Sequence, residues 1–187
     1  MRARASAPEV VISRLPVYLR SLIHLQQANK LVVSSRELAD QLQIPPAQIR
    51  KDFSFFGRFG KQGRGYNVNH LLAGLRQILG LNREWNTAII GVGRLGRAIL
   101  GYPGFAPEGF IIVAAFDSDP RQAGTKMGGL IVQDIEELEA TCKTKKIDIA
   151  IVSVPSEHAQ TVVNRLASCG IRAVLNYAPV SIQAPRG

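Results

Sequence analysis

The stretch Thr87-Ala88-Ile89-Ile90-Gly91-Val92-Gly93-Arg94-Leu95-Gly96-Arg97-Ala98-Ile99-Leu100 decides the fold of half of this chain. It opens with a short apolar run and closes with residues that suit a helix, and GxGxxG stands between them. That context predicts a strand turning sharply into a helix around a dinucleotide. The first glycine permits the tight turn and the second lets backbone approach a pyrophosphate. The third lets helix and strand pack closely, with the helix N-terminus facing the phosphates.

Downstream, residues 111–116 form a second apolar run that ends in Asp117, 26 residues after Gly91. A carboxylate there accepts hydrogen bonds from the adenosine ribose hydroxyls and repels a 2′-phosphate, which favours NAD over NADP. Arg121 and Lys126 lie close enough in sequence to weaken that preference. The plainer role for Asp117 is a turn or helix cap. The rest alternates as helix 134–141, strand 147–152, helix 156–168 and strand 171–175. Ser153-Val154-Pro155 and Asn176-Tyr177-Ala178-Pro179 follow strand ends, where loops line the crevice of a parallel sheet. Val154, Pro155 and Asn176 are therefore expected at the cofactor. Residues 87–187 read as an α/β Rossmann-like parallel-sheet domain.

Upstream of that domain the charge changes. Residues 1–86 hold 13 Lys and Arg against 5 Asp and Glu, whereas residues 87–187 hold 10 against 9. Of the net charge of +9, the N-terminal half therefore carries +8, which suggests a polyanionic partner for it or, more simply, a solvated basic face. Apolar spacing at Leu15, Leu19, Leu22, Ile23 and Leu25 predicts a helix over 13–28, with Pro16 in its first turn. Ser34 with Glu37 three residues on fits a capping box for a second helix, which Pro45 stops near 43–44. A third helix, 47–56, follows Pro46, with Ile49, Phe53 and Phe56 inward and Gln48, Arg50, Lys51 and Ser54 outward. This is a helix-turn-helix outline; Arg and Gln can reach base edges, and Lys and Ser can reach phosphates. Residues 57–68, glycine-rich and basic, read as a β-hairpin of the wing type. Lys61 and Arg64 are placed at its tip and Tyr66 and Val68 inward. Asn69 is read as the cap of a fourth helix ended by Gly80, with a polar linker over 81–86 and the domain boundary between residues 86 and 87.

The chain has 187 residues, 46% of them hydrophobic, enough to bury two small cores. The longest apolar runs fall far short of the roughly 20 residues of a membrane span. No secretory leader is recognisable, so a cytoplasmic, membrane-free protein is expected. Cys142 and Cys169 lack metal spacing and read as reduced thiols, and His24, His70 and His158 form no ligand pair.

Taken together, these motifs resemble the Rex family of bacterial redox-sensing transcriptional repressors. The most specific parts are Arg50-Lys51-Asp52-Phe53-Ser54-Phe55-Phe56-Gly57, Gly63-Arg64-Gly65-Tyr66-Asn67-Val68 and Gly91–96. Tyr102-Pro103-Gly104-Phe105 and Asn176-Tyr177-Ala178-Pro179 also look like that family. The resemblance implies a homodimer, not an enzyme, on double-stranded operator DNA with an inverted repeat, bound when NAD+ is high and released when NADH is high. It implies that Arg50, Lys51, Ser54, Lys61 and Arg64 meet DNA. It further implies that Gly91, Val92, Gly93, Arg94, Leu95, Gly96 and Asp117 form the dinucleotide site, and that Arg20 and Tyr102 couple the nicotinamide pocket to domain orientation. Family members continue past the position of Gly187 into a helix exchanged between subunits. This chain stops at Ala184-Pro185-Arg186-Gly187, so weaker dimerisation and redox coupling are expected of it. Two rivals stand beside this reading. A nicotinamide-dependent oxidoreductase lacks room for a substrate domain, and a coenzyme A or other nucleotide-binding module is separable by a binding screen.

Overall fold

The computed structural model describes residues 7–57, 59–61 and 64–184, and of Lys61 the backbone alone. Gly63 and Gln62 of the expected hairpin, the side chain of Lys61 and the closing Pro185-Arg186-Gly187 lie outside the described residues. The chain divides into two compact units, Met1–Asn82 and Arg83–Gly187.

In the first unit a short helix α1 (Glu9–Ile12) leads into α2 (Leu15–Gln27). The core face of α2 carries Leu15, Tyr18, Leu19, Leu22 and Leu25, all buried. The helix α3 (Ser35–Leu42) begins on the expected capping box. The Ser34 hydroxyl accepts from Glu37 N–H at 3.1 Å, and the Glu37 carboxylate accepts from Ser34 N–H at 2.7 Å. Gln43 closes α3 in a left-handed conformation (φ 56°), and Pro45-Pro46 start α4 (Pro46–Ser54). A three-stranded sheet flanks these helices. It comprises β1 (Val32–Val33), β2 (Gly60–Lys61) and β3 (Gly65–Asn67), with β3 in the middle and both pairings antiparallel. The third glycine-rich position is conformationally required, since Gly65 has φ +71° and a Cβ there would meet Val33 O at 2.8 Å.

The helix α5 (Val68–Ile78) starts two residues earlier than its sequence suggests. Asn67, not Asn69, is its cap, accepting from His70 N–H at 2.9 Å, while Asn69 accepts from Gln26 at 2.7 Å. Val68 is accordingly a buried helix residue rather than part of the returning strand. Phe53 ties helix and wing together, with edge-on ring contacts to Tyr18 (5.1 Å) and Tyr66 (5.3 Å).

The second unit is a six-stranded sheet. Its strands are β4 (Trp85–Ile90), β5 (Phe110–Asp117), β6 (Lys126–Met127), β7 (Leu130–Asp134), β8 (Ile149–Val152) and β9 (Ala173–Asn176). Their order is β6-β7-β5-β4-β8-β9, parallel throughout except for the β6–β7 hairpin. The crossovers are α6 (Arg94–Leu100), α7 (Leu138–Lys145) and α8 (Ser156–Ser168). The central strand β4 is buried from Thr87 to Ile90, and Phe116, Leu138 and Leu166 fill one side of the sheet. Strand order reverses at β4, so a crevice opens beyond the carboxyl ends of β4, β5 and β8. Trp85 and Asn86 already belong to β4 rather than to a linker. The Asn86 N–H donates to Asp148 at 3.0 Å and its amide to Lys145 O at 3.0 Å, contacts that exist only once β8 is in place. No helix among the described residues is long and apolar enough to cross a membrane.

Candidate functional site

The glycine loop sits in the crevice, and its three glycines have different reasons to be there. Gly91 has φ +94°, and a Cβ on it would stand 2.7 Å from Ser153 O. Gly96 lies in the first turns of α6, where a Cβ would fall 2.0 Å from Gly91 O. Gly93 faces open space, with nothing within 4 Å of an added Cβ. Two glycines are therefore required by the fold and the middle one leaves room for a ligand.

The loop is braced by its neighbours. Gly91 N–H donates to Phe116 O at 2.8 Å and the Ser153 hydroxyl donates to Gly91 O at 2.8 Å. Asp117, at the end of β5, accepts from Val92 N–H at 2.7 Å with one carboxylate oxygen and from Asp119 N–H at 2.9 Å with the other. Arg97 donates to Val92 O at 3.0 Å and to Gln122 at 2.8 Å.

The resulting cleft has a volume of about 490 Å³. Gly91, Val92, Gly93, Asp117, Val154 and Pro155 line it, as expected from sequence, and α8 adds His158, Thr161 and Arg165. Arg165 is held in place by Glu139 at 2.8 Å and Glu136 at 3.1 Å. That guanidinium keeps the Glu139 carboxyl low, at about 2. His158, on α8, is exposed and also lines the cleft.

Other expected residues fall elsewhere. Arg94 and Leu95 are exposed on α6, and Gly96 is buried behind the loop; none of the three lines the cleft. Asn176 does not reach it either. Its amide closes its own turn, donating to Ala178 O (3.2 Å) and Val180 O (2.9 Å) and accepting from Ala178 N–H (3.0 Å). Tyr102 is 60% exposed, packs edge-on against Phe105 at 5.3 Å, and borders a separate apolar cavity of about 310 Å³ with Phe110, Ile112 and Leu175. Arg20 is an exposed residue of α2 in the other unit, beside Ser21 and His24.

The first unit presents a second face. Arg50, Lys51 and Ser54 are all exposed on α4, and Arg64 is exposed at the turn into β3. Arg50 donates to the Ser35 hydroxyl at 2.9 Å, and Ser54 donates to Lys51 O at 2.6 Å. Gln48 departs from its expected outward role, since its amide donates inward to Asp52 at 2.7 Å. Asp52 itself, midway between the exposed residues of α4, is completely buried. Arg14 reaches it with two bonds of 2.7 and 2.8 Å, and Tyr18 O–H donates at 2.6 Å. Burial pushes the Asp52 carboxyl up, but the hydrogen bonds from Arg14, Tyr18 and Gln48 outweigh it and hold the group below the usual range. An aspartate flanked by Arg50, Lys51 and Phe53 carries no sequence signal for burial, because its partner Arg14 lies 38 residues away.

Comparisons with known proteins cover both units. A family model described as a CoA binding domain matches residues 82–180, and one described as a putative DNA-binding protein N-terminus matches residues 6–54. The redox-sensing transcriptional repressor Rex of Roseiflexus sp. is 50% identical over 96% of this chain and 82% of its own length. Its counterpart in Chloroflexus aurantiacus is 49% identical over 95% of this chain and 84% of its own length. Among solved structures, RSP in complex with β-NAD+ and operator DNA has a TM-score of 0.93 at 41% identity, covering 97% of this chain and 83% of that one. RSP in complex with β-NADH has a TM-score of 0.89 at 39% identity, covering 97% and 84%. RSP is itself a Rex-family repressor. With this likeness running through both units, the chain belongs to the Rex family of redox-sensing transcriptional repressors.

Proposed function

We propose that this chain is a transcriptional repressor that holds operator DNA and is released when NADH binds its C-terminal unit, so that it reports a high NADH/NAD+ ratio. It is a regulator and not an enzyme. The observation that carries the reading is the cleft. Two of its glycines are imposed by packing, the third is left open, and an ionisable carboxylate stands at the strand end where a ribose would lie. Those residues suit a dinucleotide. The loop from Gly91 to Gly96 would offer the pyrophosphate the backbone N–H groups beyond those of Gly91 and Val92, which brace the loop, Asp117 would accept from the ribose hydroxyls, and Val154 and Pro155 would wall the cofactor. In the N-terminal unit Arg50, Lys51 and Ser54 would enter the major groove with α4. The wing, with Arg64 and Lys61, would follow the backbone. A homodimer on an inverted repeat, acting in the cytoplasm, completes the proposal.

The mechanism is linkage. If NADH and DNA prefer different arrangements of the protein, each weakens the other by the same factor. A coupling of about 3 kcal/mol lowers DNA affinity roughly a hundredfold. Fluorescence anisotropy on an operator duplex, with NADH, NAD+ and coenzyme A titrated separately, is expected to show release by NADH alone. Equal effects of NADH and NAD+ would overturn the redox-sensing reading. Arg50→Ala is expected to weaken operator binding by about 1–3 kcal/mol and to leave NADH affinity unchanged. Asp117→Ala should lower NADH affinity while operator binding without nucleotide stays as it was.

A further inference from the structure

The rim of the cleft carries a second carboxylate, one that neither the glycine loop nor a ribose requires. Asp119 lies two residues beyond β5 and lines the cleft. Its own N–H is fixed by Asp117. One of its carboxylate oxygens accepts from Arg121 N–H (3.0 Å) and Arg121 Nε (3.0 Å), and the other accepts from Nε (3.2 Å) and Nη2 (2.9 Å). The Arg121 guanidinium and backbone N–H hold this carboxyl below the usual range, so it is charged at neutral pH. The Arg121 side chain is otherwise exposed, at 88%, and does not line the cleft.

We propose that Asp119 is a specificity-determining residue of this cleft: it folds Arg121 back onto the rim and denies that guanidinium to a ribose 2′-phosphate. The proposal rests on the dinucleotide reading above. A 2′-phosphate beside Asp117 needs a cation, and a guanidinium suits it best because its fork matches phosphate oxygens in pairs. Two other guanidiniums of this region line or brace the cleft and are committed, while Arg94, exposed at the start of α6, does not line it. Arg97 is bound to Val92 O and Gln122, and Arg165 to Glu139 and Glu136. Lys126, on β6, carries an ammonium without the paired donors of a guanidinium. Arg121 thus has the closest sequence tie to Asp117, and among the described residues Asp119 is the group that occupies it.

The experiment is calorimetric titration of the full chain with NADH and with NADPH. The proteins are the wild type, Asp119→Ala, Asp119→Asn and the double variant Asp119→Ala/Arg121→Ala. Both Asp119 variants are expected to narrow the preference for NADH over NADPH by about two- to fivefold, the scale of an exposed ion pair. The change should come from tighter NADPH binding, with NADH affinity held. The double variant is expected to lose that gain. An unchanged preference in both single variants would overturn the proposal. A gain that persists in the double variant would overturn the part assigned to Arg121. A wild type that binds neither nucleotide would overturn the dinucleotide reading instead.

Discussion

Arg14→Met is expected to destabilise the N-terminal unit by about 3 kcal/mol at pH 7, and by clearly less at pH 4.5. Asp52 is fully buried, and Arg14 supplies two of its four side-chain hydrogen bonds. Methionine keeps much of the apolar volume but leaves a buried carboxylate with Tyr18 and Gln48 alone. Because the folded value of this carboxyl lies below the unfolded one, its contribution in the wild type is complete above the ordinary value of about 3.9 and is lost as pH falls through the lowered value. In the variant burial prevails and the folded value rises above the unfolded one. The group then enters the fold protonated, and its penalty grows as pH rises. Urea unfolding followed by circular dichroism at the two pH values checks this. An equal deficit at both would show that the charge of Asp52 does not depend on Arg14.

Gly96→Ala and Gly93→Ala are expected to fail in opposite ways. At Gly96 the new methyl would meet Gly91 O at 2.0 Å. That oxygen belongs to a loop fixed by Phe116 and Ser153, so the contact cannot be relieved by a rotamer change. A loss of about 3 kcal/mol follows, enough to lower Tm by more than about 10 °C for a unit of this size. Gly93 has φ −64°, and a Cβ added there would have no neighbour within 4 Å. Alanine there should leave Tm within a few degrees, with only the modest cost of alanine at a helix cap. It should still weaken NADH binding about tenfold, or ~1.4 kcal/mol, because the methyl occupies the space left for phosphate. Thermal scans beside NADH titrations separate the two. A stable Gly96→Ala or a fully NADH-competent Gly93→Ala would contradict the roles assigned to these glycines.

Much of this was legible in the sequence because the decisive signals are local. The capping box at Ser34, the prolines at 45 and 46 and the GxGxxG turn each act within a few residues, and each appears where expected. What was not legible depends on distant partners. Gln48 turns inward because Asp52 is buried, and Asp52 is buried because Arg14 arrives from another helix. The start of β4 is extended by Asp148, 62 residues away. The β6–β7 hairpin did have a local signal in Gly128-Gly129, whose φ values of +56° and +82° make the turn. Asp134 likewise ends β7 and caps a short 3-10 turn (Ile135–Glu137) before α7, so the helix expected to begin there starts at Leu138. Asn176 illustrates the opposite case, a residue in the expected loop whose amide is bonded within that loop.

The bracing of the glycine loop has a further consequence. On the proposed reading, Gly91, Val92, Gly93 and Asp117 address the pyrophosphate and the adenosine ribose, the half of the molecule that NAD+ and NADH have in common. Contacts of that kind set how tightly either form is held but contribute identically to both. A ligand pair with equal affinity for the protein's two arrangements shifts nothing between them. The loop therefore supplies grip without sense, and the discrimination between oxidised and reduced cofactor is made where the nicotinamide ring lies, by side chains outside the motif from which the fold was first read.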